Sequence, residues 1–171
     1  LSGIFYRNTN LLSDRIKMVY VFDGVPPDLK AGTHKIRSEV RELAKNKYEE
    51  ARQEEDMDAM RRYSSQMVRL DKGMVEESKE LLEAMGIAVV QAPGEGEAEA
   101  AYLSKTHESY CIVSQDYDSL LFGATRLIRN LGLARKRKTV SGWVEIKPEL
   151  IELSMVLNAL EVNLDQLICL G

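Results

Sequence analysis

Three short β-rich runs in this chain each end in acidic residues, and the stretches between them are long and rich in helix formers. KMVYVFDG closes on Asp23-Gly24, IAVVQAPGEGE on Glu95 and Glu97, and YCIVSQDYD on Asp116 and Asp118. Apolar runs of this length, bounded by turn signals, suit buried strands. Crossovers as long as those between them join parallel neighbours. The pattern predicts an α/β fold, with a mainly parallel central sheet flanked by helices. Sheets of that kind hold their sites just beyond the carboxyl ends of the strands, which is where these acids fall.

The remaining sequence fits around that frame. With 171 residues, 44% hydrophobic and 29% charged, the chain has the composition of a globular protein with one core. A net charge of −4 argues against a protein that coats nucleic acid nonspecifically, but leaves room for local basic patches. No apolar run approaches the roughly 18–20 residues of a membrane span. The opening LSGIFYRNTNLL reads as the inside of a helix, so the chain is expected to begin part-way through a domain. Cys111 and Cys169 sit in apolar contexts without metal-ligand spacing and read as buried small hydrophobes.

After Pro26-Pro27, everything from about residue 30 to Gly86 reads as helix, with polar breaks near Asp56 and Asp71 dividing it into three. Residues 30–70 are too polar for a second core and read as a helical insertion. Tyr48, Tyr63 and Met67 are expected to pack within it. Further strands are predicted around Leu127 and at WVEI, where Trp143 is expected in the core. KPELIELSMVLNALE reads as one helix with Pro148 in its first turn.

The acids carry the chemistry. An i, i+2 spacing in extended chain would point Glu95 and Glu97 the same way, and Asp116 and Asp118 likewise. If the strands are neighbours, five carboxylates including Asp23 converge, raising carboxyl pKa values or recruiting cations. Mg²⁺ suits an all-oxygen site, and two such ions serve phosphodiester hydrolysis. Each motif has a plainer reading beside this one. Asp-Gly after a strand is a common turn. GEGEAEAA suits a helix start through the helix dipole. A lone DxD is a weak motif. Recurrence of all three at one sheet edge favours the functional reading. Glu99 is read as a solvated helix residue outside the site.

Lys30, His34, Arg37 and Arg41 recur at helical spacing on one face, a basic stripe able to grip phosphates. A solvated helix laced by pairs with Glu39, Glu42 and Glu49 explains the same pattern. The basic run from Arg135 to Lys138 reads either as a hairpin touching DNA backbone or as a soluble turn.

VYVFDGVPPDLK, QAPGEGEAEAAYL, SQDYDSLLFGATRLIRNL and VEIKPELI, in that order, resemble the structure-specific 5′ nucleases, most closely the archaeal flap endonucleases. The likeness covers nearly the whole chain. It implies a 5′ nuclease core of the PIN-like type, with the insertion at about residues 30–70 forming a helical arch for the single-stranded 5′ flap. It also implies that Asp23, Glu95, Glu97, Asp116 and Asp118 are metal-site carboxylates for two Mg²⁺ ions, or Mn²⁺ in their place. Lys30 and Arg37 match the basic residues that act on the scissile phosphate. The implied substrate is branched DNA with a 5′ flap, and the implied setting is replication and repair in an intracellular, cytoplasmic and nucleoid-associated protein of archaeal type.

Some family features have no counterpart in the 171 residues. They are one metal-site Asp on a first strand, another in a Gly-x-Asp-Tyr segment, a C-terminal DNA-binding part and the sliding-clamp peptide of full-length members. The acid inventory is therefore expected to be incomplete, with no flap cleavage by these residues alone. The rival readings are a truncated module that binds branched DNA without cutting it and a related acidic-site ribonuclease. An aspartyl phosphatase lacks support, because no downstream Lys-and-acid pattern accompanies Asp23.

Overall fold

A computed structural model describes residues 1–25, 31–67, 70–131, 136–139 and 142–171. The chain divides into two compact units, Pro26–Gly86 with Leu1, and Ser2–Val25 with Ile87–Gly171.

The first unit is helical. Helices α2 (Ala31–Gln53) and α3 (Met57–Met67) pack on one another, and α4 (Lys72–Ala84) follows. Ala44 and Ala51, seven residues apart on α2, are both buried. Side chains this small let a neighbouring helix approach closely. The Lys47 ammonium lies 5.8 Å from the centre of the half-buried Tyr63 ring. The two expected breaks are caps. Asp56 accepts the backbone N–H groups of Asp58 and Ala59 at 3.1 and 3.0 Å, and Asp71 accepts that of Met74 at 2.8 Å. Gly86, just past the last helix, takes the left-handed conformation at φ 74°, as a C-terminal glycine does.

The second unit is α/β. Helix α1 (Ser2–Ser13) precedes strand β1 (Val19–Phe22), which pairs in parallel with β2 (Ala88–Gln91), Val19 opposite Ala88 and Phe22 opposite Gln91. The fully buried Asn8 accepts the Tyr20 hydroxyl at 2.7 Å, tying α1 to β1. After α5 (Gly96–Lys105), strand β3 (Ile112–Val113) and the short α6 (Asp118–Leu121), strand β4 (Arg126–Arg129) pairs with β3 in parallel. The core lies here: Ala101, Ile112, Leu120, Ala124 and Leu127 are buried together, with Ala100, Ile151, Leu153 and Val156 against them. Ser104 and Thr125 join their hydroxyls at 2.8 Å and fix α5 to the turn before β4. The remaining elements are a hairpin of β5 (Lys136–Thr139) and β6 (Gly142–Glu145), then β7 (Glu149–Glu152), α7 (Leu153–Leu160) and α8 (Leu164–Leu170). Among the described residues, no single helix is long and apolar enough to cross a membrane.

Three expectations need correction. The start of KPELIELSMVLNALE is not helical, since Glu149–Glu152 forms β7 and the helix begins at Leu153. The reason is the partner strand. RLIR on β4 faces ELIE on β7 antiparallel, so Arg126 meets Glu152 at 3.4 Å and Arg129 meets Glu149 at 3.8 Å. Cross-strand charge pairs of this kind support strand over helix, and Pro148, lacking a donor, stands before the strand rather than in a first helical turn. Trp143 is 69% exposed, because every described position of β6 faces solvent in a two-stranded ribbon. Cys169 is exposed, as are Ile168 and Leu170 beside it on α8, whereas Cys111 is half-buried. Burial pushes the Cys111 thiol above its ordinary pKa against the pull of Arg126, which suits a packing role.

Candidate metal centre

The acids gather where the two parallel ladders of the second unit end. Beyond β1 and β2 the chains continue side by side: Ala92 N–H donates to the Phe22 carbonyl at 2.9 Å, and Gly24 N–H to the Gly94 carbonyl at 2.6 Å. Gly24 is required by this approach, since a Cβ there would stand 2.1 Å from the Ala92 carbonyl oxygen. The Gln91 amide donates to the Asp23 carbonyl at 2.7 Å. One oxygen of the Asp23 carboxylate accepts the Gly96 N–H at 2.7 Å, at the first residue of α5. Asp23 is thus held against a helix N-terminus, where a negative charge is favoured.

Glu95 and Glu97 come from that same helix start. Glu95 is the cap residue in extended conformation, and Glu97 lies in the first turn. The extended i, i+2 geometry expected for this pair is therefore not the one present; helix begins between them. Asp116 and Asp118 differ in the same way. Tyr117 between them is in the helical region, and Asp118 opens α6. What brings the acids into one neighbourhood is the placement of helix starts at strand ends, not alternation along a strand.

Glu97 connects the two ladders. It is partly buried, and its carboxylate accepts the Ser114 hydroxyl at 2.8 Å. The same Ser114 oxygen accepts the Asp116 N–H at 3.1 Å. Burial is the main cause that raises the Glu97 carboxyl above its ordinary pKa; the Ser114 bond opposes it, and the carboxylates of Asp118, Asp116 and Asp23 add to the rise. Four of the five expected acids therefore share one electrostatic neighbourhood. Asp23, Asp116 and Asp118 are exposed and Glu95 is half-buried. Among the described residues, no three His, Cys, Asp or Glu side chains close around a single point at metal-binding distance. The donor chemistry nevertheless fits a hard divalent cation: all-carboxylate, partly open to solvent, with a mutual repulsion that positive charge would relieve.

Ser114 is the residue that sequence reasoning missed. Its one signal is its place between strand β3 and the first Asp, and a serine there passes for ordinary turn chemistry. Of the basic stripe, Lys30 lies outside the described residues. Positions 34, 37 and 41 fall within α2 at the expected spacing, while the side chains of His34, Arg37 and Arg41 lie outside the description. Of the Arg135–Lys138 run, Arg135 also lies outside, and Lys136–Thr139 forms β5 of a hairpin.

Acid-tipped parallel strands with helices starting at their ends define the class of this core, an α/β fold with its candidate site at the carboxyl edge. The XPG I-region matches residues 86–171 and the XPG N-terminal domain matches residues 1–44. The chain belongs to the XPG family. Flap endonuclease 1 of Hyperthermus butylicus is 50% identical over 173 aligned residues, covering 100% of this chain and 49% of that protein. The structure of flap endonuclease-1 from Methanococcus jannaschii superposes with a TM-score of 0.66 at 44% identity, covering 98% of this chain and 50% of the other. The catalytic core of Rad2 in complex with DNA substrate superposes at 0.65 with 26% identity, over 97% of this chain and 43% of the other. The chain spans about half the length of the curated relatives it matches. The α/β fold expected of a 5′ nuclease core is borne out.

Proposed function

We propose that the protein acts as a structure-specific 5′ flap endonuclease with 5′–3′ exonuclease action, hydrolysing one DNA phosphodiester near a branch junction with the help of divalent metal. The observation that carries this reading is Glu97, partly buried within the field of Asp118, Asp116 and Asp23 at the ends of two parallel ladders. That cluster, in a chain of the XPG family half identical to a flap endonuclease, suits metal-assisted cleavage of a phosphate ester.

Asp23, Glu95, Glu97, Asp116 and Asp118 are the residues that would hold the metal and its waters. When bound, two Mg²⁺ ions, or Mn²⁺ in their place, supply an activated water and neutralise charge on the phosphate. The chain's own residues provide the rest. Gly96 N–H fixes the Asp23 carboxylate, and Ser114 orients Glu97 while holding the Asp116 amide. Lys30 and Arg37 would contact the scissile phosphate and stabilise charge as it develops there. His34 and Arg41 would follow the neighbouring backbone. The helical insertion at about residues 30–70 would form the arch that receives the 5′ flap. Branched DNA is the partner in this reading. The family resemblance extends the partners to a sliding clamp and the location to the archaeal nucleoid.

The test is a labelled 5′-flap duplex incubated with the full protein in Mg²⁺, beside the same strand as single-stranded RNA. Junction-specific cutting of the flap, abolished by Asp118→Asn, is the expected result. Binding of branched DNA without cutting by the full protein, or preference for RNA, would overturn the reading.

A further inference from the structure

Residues 115–117 form the bend between the end of strand β3 and helix α6, and two of the candidate metal-site acids, Asp116 and Asp118, flank its Tyr117. The last ladder bond before the bend runs from Ser114 N–H to the Ile128 carbonyl at 3.3 Å. Tyr117 is 51% exposed, so core packing does not hold its ring. Arg129, the last residue of β4, reaches this bend in three ways. Its Nε donates to the Gln115 carbonyl at 3.1 Å, and its guanidinium lies 4.3 Å from the centre of the Tyr117 ring. Its Nη1 also donates to the Tyr117 hydroxyl. The Glu149 carboxylate on antiparallel β7 meets the same Nη1 at 3.8 Å. A planar fork with its stem on a strand, its charge over a ring and its donors on a carbonyl and a hydroxyl holds both ends of the bend at once.

We propose that Arg129 is a positioning residue for Asp116 and Asp118, acting through its cation–π contact with Tyr117 and its bond to the Gln115 carbonyl, so that the two carboxylates keep the spacing the site requires. The proposal rests on the nuclease reading for its kinetic consequence and on geometry alone for the clamp itself. Arg126, two residues earlier on β4, supplies the control. Its guanidinium carbon lies 4.6 Å from the centre of the Tyr110 ring and it pairs with Glu152 at 3.4 Å, the same chemistry away from the acids.

The experiment compares Arg129→Ala, Arg129→Lys, Tyr117→Ala, the Arg129→Ala/Tyr117→Ala double variant and Arg126→Ala in the protein. Backbone hydrogen exchange is measured first, without metal. Arg129→Ala should speed exchange over residues 115–118 and leave the 126–128 ladder protected. In flap cleavage, Arg129→Ala should lower kcat by about 10–100-fold at unchanged KM, the usual cost of removing support behind a metal ligand. Arg129→Lys keeps the charge and loses the planar fork, so it should not restore kcat. Tyr117→Ala should lower kcat similarly, and the double variant should fall little further, because the two residues act as one unit. Arg126→Ala should leave kcat unchanged. Unaltered exchange over residues 115–118 in Arg129→Ala would overturn the clamp whatever the activity. A rise in KM alone, or full rescue by Arg129→Lys, would show Arg129 to be a simple charge for DNA and overturn the proposal too. If the unmodified full protein fails to cut flapped DNA, the nuclease reading fails, and the exchange comparison still decides the clamp.

Discussion

The Ser114 hydroxyl donates to the Glu97 carboxylate at 2.8 Å while its oxygen accepts the Asp116 N–H at 3.1 Å, so one side chain bridges a helix start to the end of a different ladder. Removing it loosens an acid on each side. Ser114→Ala is expected to lower flap cleavage about tenfold or more, with a matching rise in the Mg²⁺ concentration needed for half-maximal rate. Ser114→Thr, which keeps the hydroxyl, should restore most of it. A metal titration of the two variants checks the pair; equal, near-normal rates would remove Ser114 from the site.

Glu97 also sets a pH dependence for the metal-free protein. Its folded pKa is raised, chiefly by burial, so the native state holds more protons than the unfolded chain between the ordinary carboxyl value and the raised one. In that window stability falls as pH rises. Below it the carboxyl is neutral in both states and the penalty is absent; above it the full cost of charging a partly buried, repelled carboxylate is felt. Glu97→Gln should therefore raise the Tm at pH 7 in EDTA and flatten this part of the pH profile. Thermal melts from pH 4 to 8 read the difference, and a lower Tm for Glu97→Gln at pH 7 would contradict it.

Asp116→Asn and Glu95→Gln are expected to abolish cutting in the full protein while binding of flapped DNA survives, since most affinity comes from phosphate contacts elsewhere. Parallel cleavage and gel-shift assays separate the two effects. Near-normal turnover in either variant would take that residue out of the metal set.

For the basic stripe, Lys30→Ala and Arg37→Ala should each cost about 2–4 kcal/mol in single-turnover cleavage if they stabilise charge in the transition state. Arg41→Ala, further along α2, should cost much less. Equal losses at all three positions, or a loss of affinity only, would mean general phosphate binding.

Gly24→Ala tests the scaffold beneath Asp23. The new methyl would meet backbone, Ala92 O at 2.1 Å and Pro93 C at 2.7 Å, neither of which can rotate away. Forcing the two loops apart should destabilise the fold by about 1–3 kcal/mol and impair the site with it. A chemical denaturation curve indistinguishable from that of the unmodified protein would show that the loops yield freely.

The acids, the strands that carry them and the caps that bound α3 and α4 were legible in the sequence because each is a local signal. Apolar runs ending at Asp23, Glu95 and Asp116 need no partner to be recognised, and Asp56, Asp71 and Gly86 cap helices through neighbours three or fewer residues away. Tertiary structure decided what depends on residues far apart in sequence. ELIE can be helix or strand until RLIR lies opposite it and pairs Arg126 with Glu152, 26 residues away. Trp143 is apolar enough for a core, yet a two-stranded ribbon offers it none. Ser114 and Arg129 look like ordinary turn and strand residues. Only folding brings Ser114 to Glu97 and Arg129 to Tyr117. Local pattern records where a charge sits along the chain, whereas a shared electrostatic field falls off with distance in space, so which carboxylates act on Glu97 was settled by the packing of two ladders and the helix starts at their ends.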